Sequence, residues 1–182
     1  MKQHQSLARR CAAVVTTAAL VVGASSLLAP AEAAKVKKKP LKGSVTGTVA
    51  MTCNMPAFDV DFPYDATIKL SGTRAKKADK KLALTATLSN MPGVSPVAFN
   101  NDIEATLKVK VGSTAGTLKG KKKAVAGASE PVPMPSVKGS VNNKKNSNAV
   151  TITSLSIFIP DFAMSMECTP SASNKLGTLK LK

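Results

Sequence analysis

The chain has 182 residues, with 26 lysines and arginines against 10 aspartates and glutamates, a formal net charge of +16. It contains a single histidine (His4), no tryptophan and one tyrosine, so the usual general base, zinc ligand and sugar-stacking faces are scarce. The composition therefore argues against histidine-based hydrolases and zinc enzymes, and the positive charge favours solubility or an anionic partner.

The N-terminal region has the layout of a secretory signal. Three cations in "MKQHQSLARR" precede the apolar run "CAAVVTTAALVVGASSLLAP", and Ala31–Ala33 fits an A-x-A cleavage site. Polar residues within the run make it a poor membrane anchor. We therefore expect a signal peptide over residues 1–33, a mature chain that begins at Ala34, and no transmembrane anchor. The protein should be secreted, either extracellular or loosely associated with the cell wall.

Removal of the signal changes the cysteine count and the charge. The mature chain keeps 23 basic and 9 acidic residues, a net charge of +14, and it has no histidine. Its two cysteines, Cys53 and Cys168, are an even number in an exported chain, which predicts a disulfide between them. Closing a loop of this length stabilises a fold by roughly 4–5 kcal/mol.

The mature chain is predicted to consist of a flexible arm followed by one domain. The stretch "AKVKKKPLK" predicts a flexible basic arm over residues 34–42, and a single domain is expected over residues 43–182. Apolar residues in this domain recur every second position, as in "DIEATLKVKV", and turn signals separate the runs. Strands are predicted at 44–53, 66–71, 82–90, 102–111, 114–119, 136–141, 149–159 and 161–168.

Many short strands separated by turns are typical of all-β folds. We expect an antiparallel β-sandwich with one disulfide, in preference to a closed sheet, because the two cysteines lie near opposite ends of the domain. The proline-rich stretch "ASEPVPMPS" is expected to be an extended connection and not a central strand.

The acidic stretch "AFDVDFPYD" raises the question of a metal or catalytic site. Asp59 and Asp61 alternate with apolar residues, which predicts that the two aspartates lie on the solvent-exposed face of a strand. A calcium loop is excluded because the required glycine and the closing glutamate are missing. A carboxylate-dependent hydrolase using Asp59 or Asp61 stays open as the least favoured function, since such carboxylates can come from distant segments.

Methionines flank both cysteines at period two. Met51, Met164 and Met166 share strand faces with the cysteines, and thioethers can bind Cu(I). Methionine also fills irregular gaps in cores, and the cysteines are expected to point inward. The sequence therefore favours core packing, with these three methionines as weak metal candidates, and predicts no cofactor.

Sequence signatures of common enzymes are missing from the chain. No G-x-S-x-G, S-x-x-K, G-x-G-x-x-G or P-loop occurs. Lys110 alternates with valines on a predicted strand, so it is expected to be exposed and to keep an ordinary amine chemistry. We expect a protein that is not an enzyme.

The layout of the chain resembles a family of secreted actinobacterial β-sandwich domains with immunoglobulin-like architecture. The residues that carry the resemblance are the signal, the early "MTCNMP", the alternating strands and the late "MSMECTPS" with "LGTL". The resemblance covers most of residues 43–182. It implies export and an immunoglobulin-like sandwich, and it carries no catalytic residue.

Lysine supplies nearly all of the positive charge, and it is concentrated in turns and tails. Arg74 is the only arginine after the signal. Lysine is a hydrated point charge, which favours nonspecific attraction to anionic surfaces over selective recognition of phosphates or bases. The predicted basic surface consists of Lys37, Lys38, Lys39, Lys76, Lys77, Lys80, Lys81, Lys121, Lys122, Lys123, Lys144 and Lys145.

The sequence thus predicts a secreted, non-catalytic protein that associates electrostatically with anionic cell-envelope polymers or lipid headgroups. Sequence-specific nucleic-acid binding is not expected, because lysine favours diffuse attraction over selective recognition, and the scarcity of aromatic residues weighs against stacking on single strands. The first alternative is a carrier of an apolar or lipid ligand, held by methionines and phenylalanines between the sheets. Lysines that only keep the surface soluble would explain the same charge pattern.

Overall fold

The computed structural model describes residues 39–93 and 97–182. That part of the chain forms nine β-strands and two one-turn 3-10 helices. The predicted signal peptide, its cleavage site, Lys37 and Lys38 lie outside the described residues. The strands are β1 (Leu41–Met55), β2 (Val60–Arg74), β3 (Lys81–Leu88), β4 (Phe99–Val111), β5 (Thr114–Ala126), β6 (Val137–Asn142), β7 (Ser147–Ile159), β8 (Met164–Pro170) and β9 (Lys175–Lys180).

All strand pairings are antiparallel, and they close on themselves. Neighbours follow the order β4-β5-β6-β3-β2-β1-β8-β7, and β7 pairs again with β4. The circuit is narrowest between β5 and β6, where the ladder has one partner pair, Lys119 with Lys138. Eight strands therefore surround one interior and protect each other's edges.

The last strand fills a gap in this circuit. β8 pairs with β7 over Leu155–Ile159, whereas β9 pairs with β7 over Ser147–Thr151. Lys182 exchanges two backbone hydrogen bonds of 2.9 Å with Lys42 of β1. β8 and β9 therefore occupy successive halves of the space between β1 and β7.

Period-two alternation places one face of each strand in a single core. The expected inward faces are confirmed, for example in β4, where Ile103, Ala105, Leu107, Val109 and Val111 are all buried. The all-β antiparallel fold predicted from this alternation is therefore confirmed, and eight of the nine strands coincide with predicted ones.

The predicted disulfide is confirmed, and it joins two neighbouring strands of the sheet. Cys53 and Cys168 are bonded, at a sequence separation of 115. They lie directly opposite each other on the neighbouring strands β1 and β8, and both are fully buried. The bond therefore joins the first strand to the eighth across an ordinary ladder position.

Several strand bounds differ from the prediction, and one strand was not predicted. β1 begins at Leu41, so the last two residues of the predicted arm belong to a strand. The stretch at 57–65 is not one strand: Pro56–Phe58 is a 3-10 turn, and β2 begins at Val60. β9 was missed, because "KLGTLK" buries only Leu176 and Leu179.

Candidate functional site

Two hairpins of the closed sheet turn in the same way at the same end of the molecule. β1 and β2 are joined by Pro56–Phe58 followed by Asp59, and β7 and β8 by Pro160–Phe162 followed by Ala163. Asp59 and Ala163 both adopt left-handed backbone conformations, with φ of 52° and 48°. In each turn this residue donates its backbone N–H to the carbonyl of the turn's proline, at 3.3 and 3.0 Å. Each turn thereby presents a phenylalanine at its third position.

An apolar cavity of about 610 Å³ lies at this end, which we call the cavity end. Its lining comes from the two 3-10 turns, the adjoining strand ends and the segments around Met91, Val97 and Val132. Every lining residue that the structure describes is apolar, and four of them are methionines. The lining residues are Met55, Ala57, Phe58, Val60, Met91, Val97, Phe99, Val132, Ile159, Phe162, Met164 and Met166.

The mouth of the cavity exposes large apolar side chains to water. Phe58 is 65% exposed, Phe162 is 62% exposed and Val97 is 66% exposed. The deeper residues Met55, Met91 and Met166 are buried. Single exposed apolar residues are common on proteins, but several of them around one cavity mark a binding surface.

The chemistry of this cavity is limited to apolar contact. Among the described residues, its lining has no charged, hydroxyl or amide side chain, so a charged group of a ligand would be buried against these walls without a partner. Flexible methionines let the walls adapt to the shape of a guest. The cavity can therefore hold an uncharged, apolar group.

The structure brings half of the predicted basic surface together at the opposite end of the strands. Lys76, Lys77, Lys80 and Lys81 lie at the β2–β3 connection, and Lys144 and Lys145 lie in the β6–β7 loop. The backbone N–H of Asn143 donates to the carbonyl of Lys80 at 2.7 Å, so the two segments touch. All six lysines are exposed. We call this region the lysine end.

Arg74 holds the β6–β7 loop in place, a role that sequence reasoning missed. Its guanidinium is fully buried and donates to the carbonyls of Asn143, Lys144 and Lys145 and to the Oδ1 of Asn146, at 2.5–2.9 Å. The signal was present in the sequence, because Arg74 continues the inward period of Leu70 and Gly72.

The other predicted lysines lie elsewhere. Lys121, Lys122 and Lys123 are on β5, toward the cavity end, and Lys39 is exposed before β1. Lys121 bridges Asp102 at 3.2 Å and Glu104 at 3.3 Å. Its hydrogen bond to Asp102, and then that to Glu104, raise the pKa of its ammonium. Lys121 thus contacts local carboxylates, and none of the three lysines of β5 is part of the lysine end.

The aspartates of the acidic stretch are exposed, as predicted, but they do not form a cluster for chemistry. Asp59 occupies the left-handed position of the first turn, and Asp61 accepts a 2.7 Å hydrogen bond from the Nδ2 of Asn54. Asp65 lies opposite Ala50 on the outer face of β2. Across the described residues, no group of three or more histidines, cysteines or carboxylates is arranged to hold a metal ion.

The three methionines named as weak metal candidates do not lie together at one position. Met51 and Met166 are buried in the core, whereas Met164 is half-buried. Met164 and Met166 line the cavity, and Met51 does not. Their thioethers therefore serve packing and the cavity wall, and both neighbouring cysteines are bonded to each other.

Within residues 39–93 and 97–182, no helix has the length and apolar character that crossing a membrane requires.

The chain matches no family model, no curated protein and no solved structure. The immunoglobulin-like family suggested by the sequence therefore gains no support from relatives. Function has to be inferred from the cavity and the charge distribution.

Proposed function

We propose that the protein binds an uncharged apolar ligand, or the apolar chain of a lipid, in the cavity. The observation that carries this proposal is the cavity itself: about 610 Å³ lined by apolar residues, with exposed phenylalanines at its mouth. Pockets of this size and composition are typical of small-molecule sites. The alternative carrier function predicted from the sequence is thus the one that the geometry supports best.

The dimensions of the cavity suit a long flexible chain. At about 30 Å³ per water-sized group, the volume holds on the order of twenty such groups. Each methylene that leaves water contributes about 0.8 kcal/mol, which is roughly fourfold in affinity. We therefore propose that affinity rises steadily with chain length until the cavity is full.

Export and the absence of catalysis are parts of the same proposal. The buried Cys53–Cys168 bond supports an oxidising compartment, since such bonds are rare in the cytosol. A two-layer, immunoglobulin-like packing of this closed circuit is likewise a proposal, and it is supported by the narrow β5–β6 junction, where a single residue pair joins the two strands. An experimental structure showing two face-packed layers with immunoglobulin strand order would test it.

The ligand proposal is tested by fluorescence of N-phenyl-1-naphthylamine and its displacement by n-alkanols of six to twelve carbons. The dye should bind with enhanced emission, and each added methylene should strengthen displacement by about two- to fourfold. Met164→Trp, which places a large ring in the cavity wall, should weaken dye binding at least tenfold. Val125→Trp is the control, because Val125 is 64% exposed and does not line the cavity.

A second pair of variants tests the mouth without filling the cavity. The double variant Phe58→Ala with Phe162→Ala removes both turn phenylalanines from the lining. Phe158→Ala removes an exposed phenylalanine that is not part of it. Equal dye binding by both variants, or displacement that does not depend on alkanol length, would overturn the proposal.

A further inference from the structure

Four segments of the chain meet at the lysine end. The β2–β3 connection and the β6–β7 loop are joined by the hydrogen bond from Asn143 to the carbonyl of Lys80. The N–H of Leu181 donates to the carbonyl of Asn146 at 2.8 Å. The Nδ2 of Asn143 donates to the carbonyl of Val111, beside the β4–β5 turn, at 2.9 Å. These bonds fix the spacing of the charges that the segments carry.

The charge of this end is strongly positive. The start of β1 adds Lys42 and the C-terminal residues add Lys180 and Lys182 to the six lysines of the predicted surface, and all nine are exposed. Asp79 is the one acidic residue of the described β2–β3 connection, and its carboxylate accepts from the backbone N–H of Lys76 at 3.0 Å. The buried Arg74 adds a cation whose hydrogen-bond partners are neutral oxygens.

The lysine end has no exposed large apolar residue with which to enter a bilayer or stack on bases. The exposed large apolar residues of the described chain are Phe58, Val60, Val97, Val125, Phe158 and Phe162, and all of them lie toward the cavity end. A surface of lysines without aromatics favours a flexible polyanion over a membrane or single-stranded nucleic acid.

A small polar pocket at this end offers a place for a single phosphate. The pocket has a volume of about 240 Å³ and lies between the β4–β5 turn and the β6–β7 loop. Lys144, Lys145, Ser113 and Thr114 line it, together with the asparagines of the loop. Ammonium and hydroxyl groups are donors that hold phosphate oxygens in proteins, whereas the Nδ2 atoms of Asn143 and Asn148 already donate within the protein.

We propose that the lysine end binds a phosphodiester polymer, with successive phosphates on the exposed lysines and one in the polar pocket. The site is independent of the cavity. It excludes Lys121, Lys122 and Lys123, which lie on β5, and the first of these bridges Asp102 and Glu104. Binding releases counterions, so affinity falls steeply with salt.

The test uses the full mature protein and poly(glycerol phosphate) as the probe. The triple variant K77Q/K80Q/K144Q removes three charges from the lysine end, and K121Q/K122Q/K123Q removes three from β5. The first should weaken binding at least tenfold at 0.1 M salt and lower the slope of log K against log salt by about two. The second should change affinity by less than threefold.

Equal losses in the two triple variants would mean that only net charge matters, and would overturn the proposal. Binding to vesicles of phosphatidylglycerol and phosphatidylcholine without binding to the polymer would also overturn it, by assigning the surface to a membrane. Dye binding in the cavity is measured in parallel. Both variants should retain it, which shows that they are folded and separates this site from the proposed function.

Discussion

Arg74 shows what one residue can contribute when it is the single arginine in a lysine-rich domain. A lysine has three donors on one atom, whereas the guanidinium spreads its donors across a plane. Arg74 uses Nη1 and Nη2 to bind four oxygens of a loop, and its Nε has no hydrogen-bond partner among the described residues. The β6–β7 loop is therefore built around this side chain.

Replacing Arg74 should destabilise the fold and loosen the lysine end. In Arg74→Met three backbone carbonyls and one amide oxygen lose a charged donor, so we expect the free energy of unfolding to fall by about 3–5 kcal/mol. Urea unfolding measures the loss. Arg74→Lys should recover part of it, because an ammonium can reach some of the same oxygens. A Met variant as stable as the wild type would contradict the role of the guanidinium.

Tyr64 should make stability depend on pH in the alkaline range. Its hydroxyl donates to the carbonyl of Ser89 at 2.6 Å, and burial raises its pKa above the ordinary 10.0. Below pH 10 the group is protonated in the folded and unfolded chains, so its contribution is fully present. As pH rises further the unfolded chain loses the proton first, and stability falls through the pKa of the folded state.

The variant Tyr64→Phe isolates this effect. It should lose about 1 kcal/mol at pH 7, because the carbonyl of Ser89 loses its donor. Its stability should then fall less than that of the wild type between pH 9 and 11.5, as measured by urea unfolding. Parallel pH profiles for the two proteins would show that Tyr64 does not titrate differently on folding.

At the scale of elements, the two 3-10 turns carry a strained position that can be relieved. Ala163 has φ of 48° and ψ of 33°, a left-handed conformation that a Cβ disfavours. We expect Ala163→Gly to raise the free energy of unfolding by about 0.5–1 kcal/mol. Asp59→Gly, at the equivalent position, should gain less, because aspartate tolerates this conformation better. Equal gains would contradict that reasoning.

These turns also show where the period-two pattern gave a wrong prediction, namely one continuous strand at residues 57–65. Phe58, Val60 and Phe62 alternate with aspartates as in a strand, so periodicity alone predicted one. The proline at the first position of each turn is compatible with a 3-10 start, and "Pro-x-Phe" occurs at both hairpin ends. That repetition was the signal for the turns and hence for the two phenylalanines of the cavity mouth.

The disulfide should be a major source of stability for the element pair β1 and β8. The loop it closes spans 115 residues, so Cys53→Ala with Cys168→Ala should lower the free energy of unfolding by about 4 kcal/mol. Wild-type protein reduced under denaturing conditions should refold to the same lower stability, which serves as the control. Loss of less than 1 kcal/mol would mean that the unfolded chain is already compact.

At the scale of the whole molecule, the sequence could predict strands and inward faces but not their neighbours. The inward faces follow from local periodicity, and the cysteine pair could be predicted because only two cysteines follow the predicted signal. The β4–β7 pairing and the position of β9 depend on contacts between distant segments. The cavity could not be located either, because its walls come from five separate parts of the chain.

The folded chain separates its two candidate sites along the strands. β1 runs for 15 residues from the lysine end to the cavity end, which is about 45 Å of extended chain. Charges at that separation are screened from each other at 0.15 M salt, where the Debye length is about 8 Å. The two proposed sites should therefore bind their ligands without affecting each other.

Simultaneous binding gives a direct measurement of this separation. The dissociation constant of N-phenyl-1-naphthylamine should change by less than twofold when poly(glycerol phosphate) is present at saturation. Raising salt from 0.05 to 0.5 M should release the polymer and leave the dye bound, since apolar contact does not depend on screening. Met164→Trp should weaken dye binding at least tenfold while polymer affinity is kept. Competition between the dye and the polymer would instead place both ligands on one surface, and the separation of the sites would be wrong.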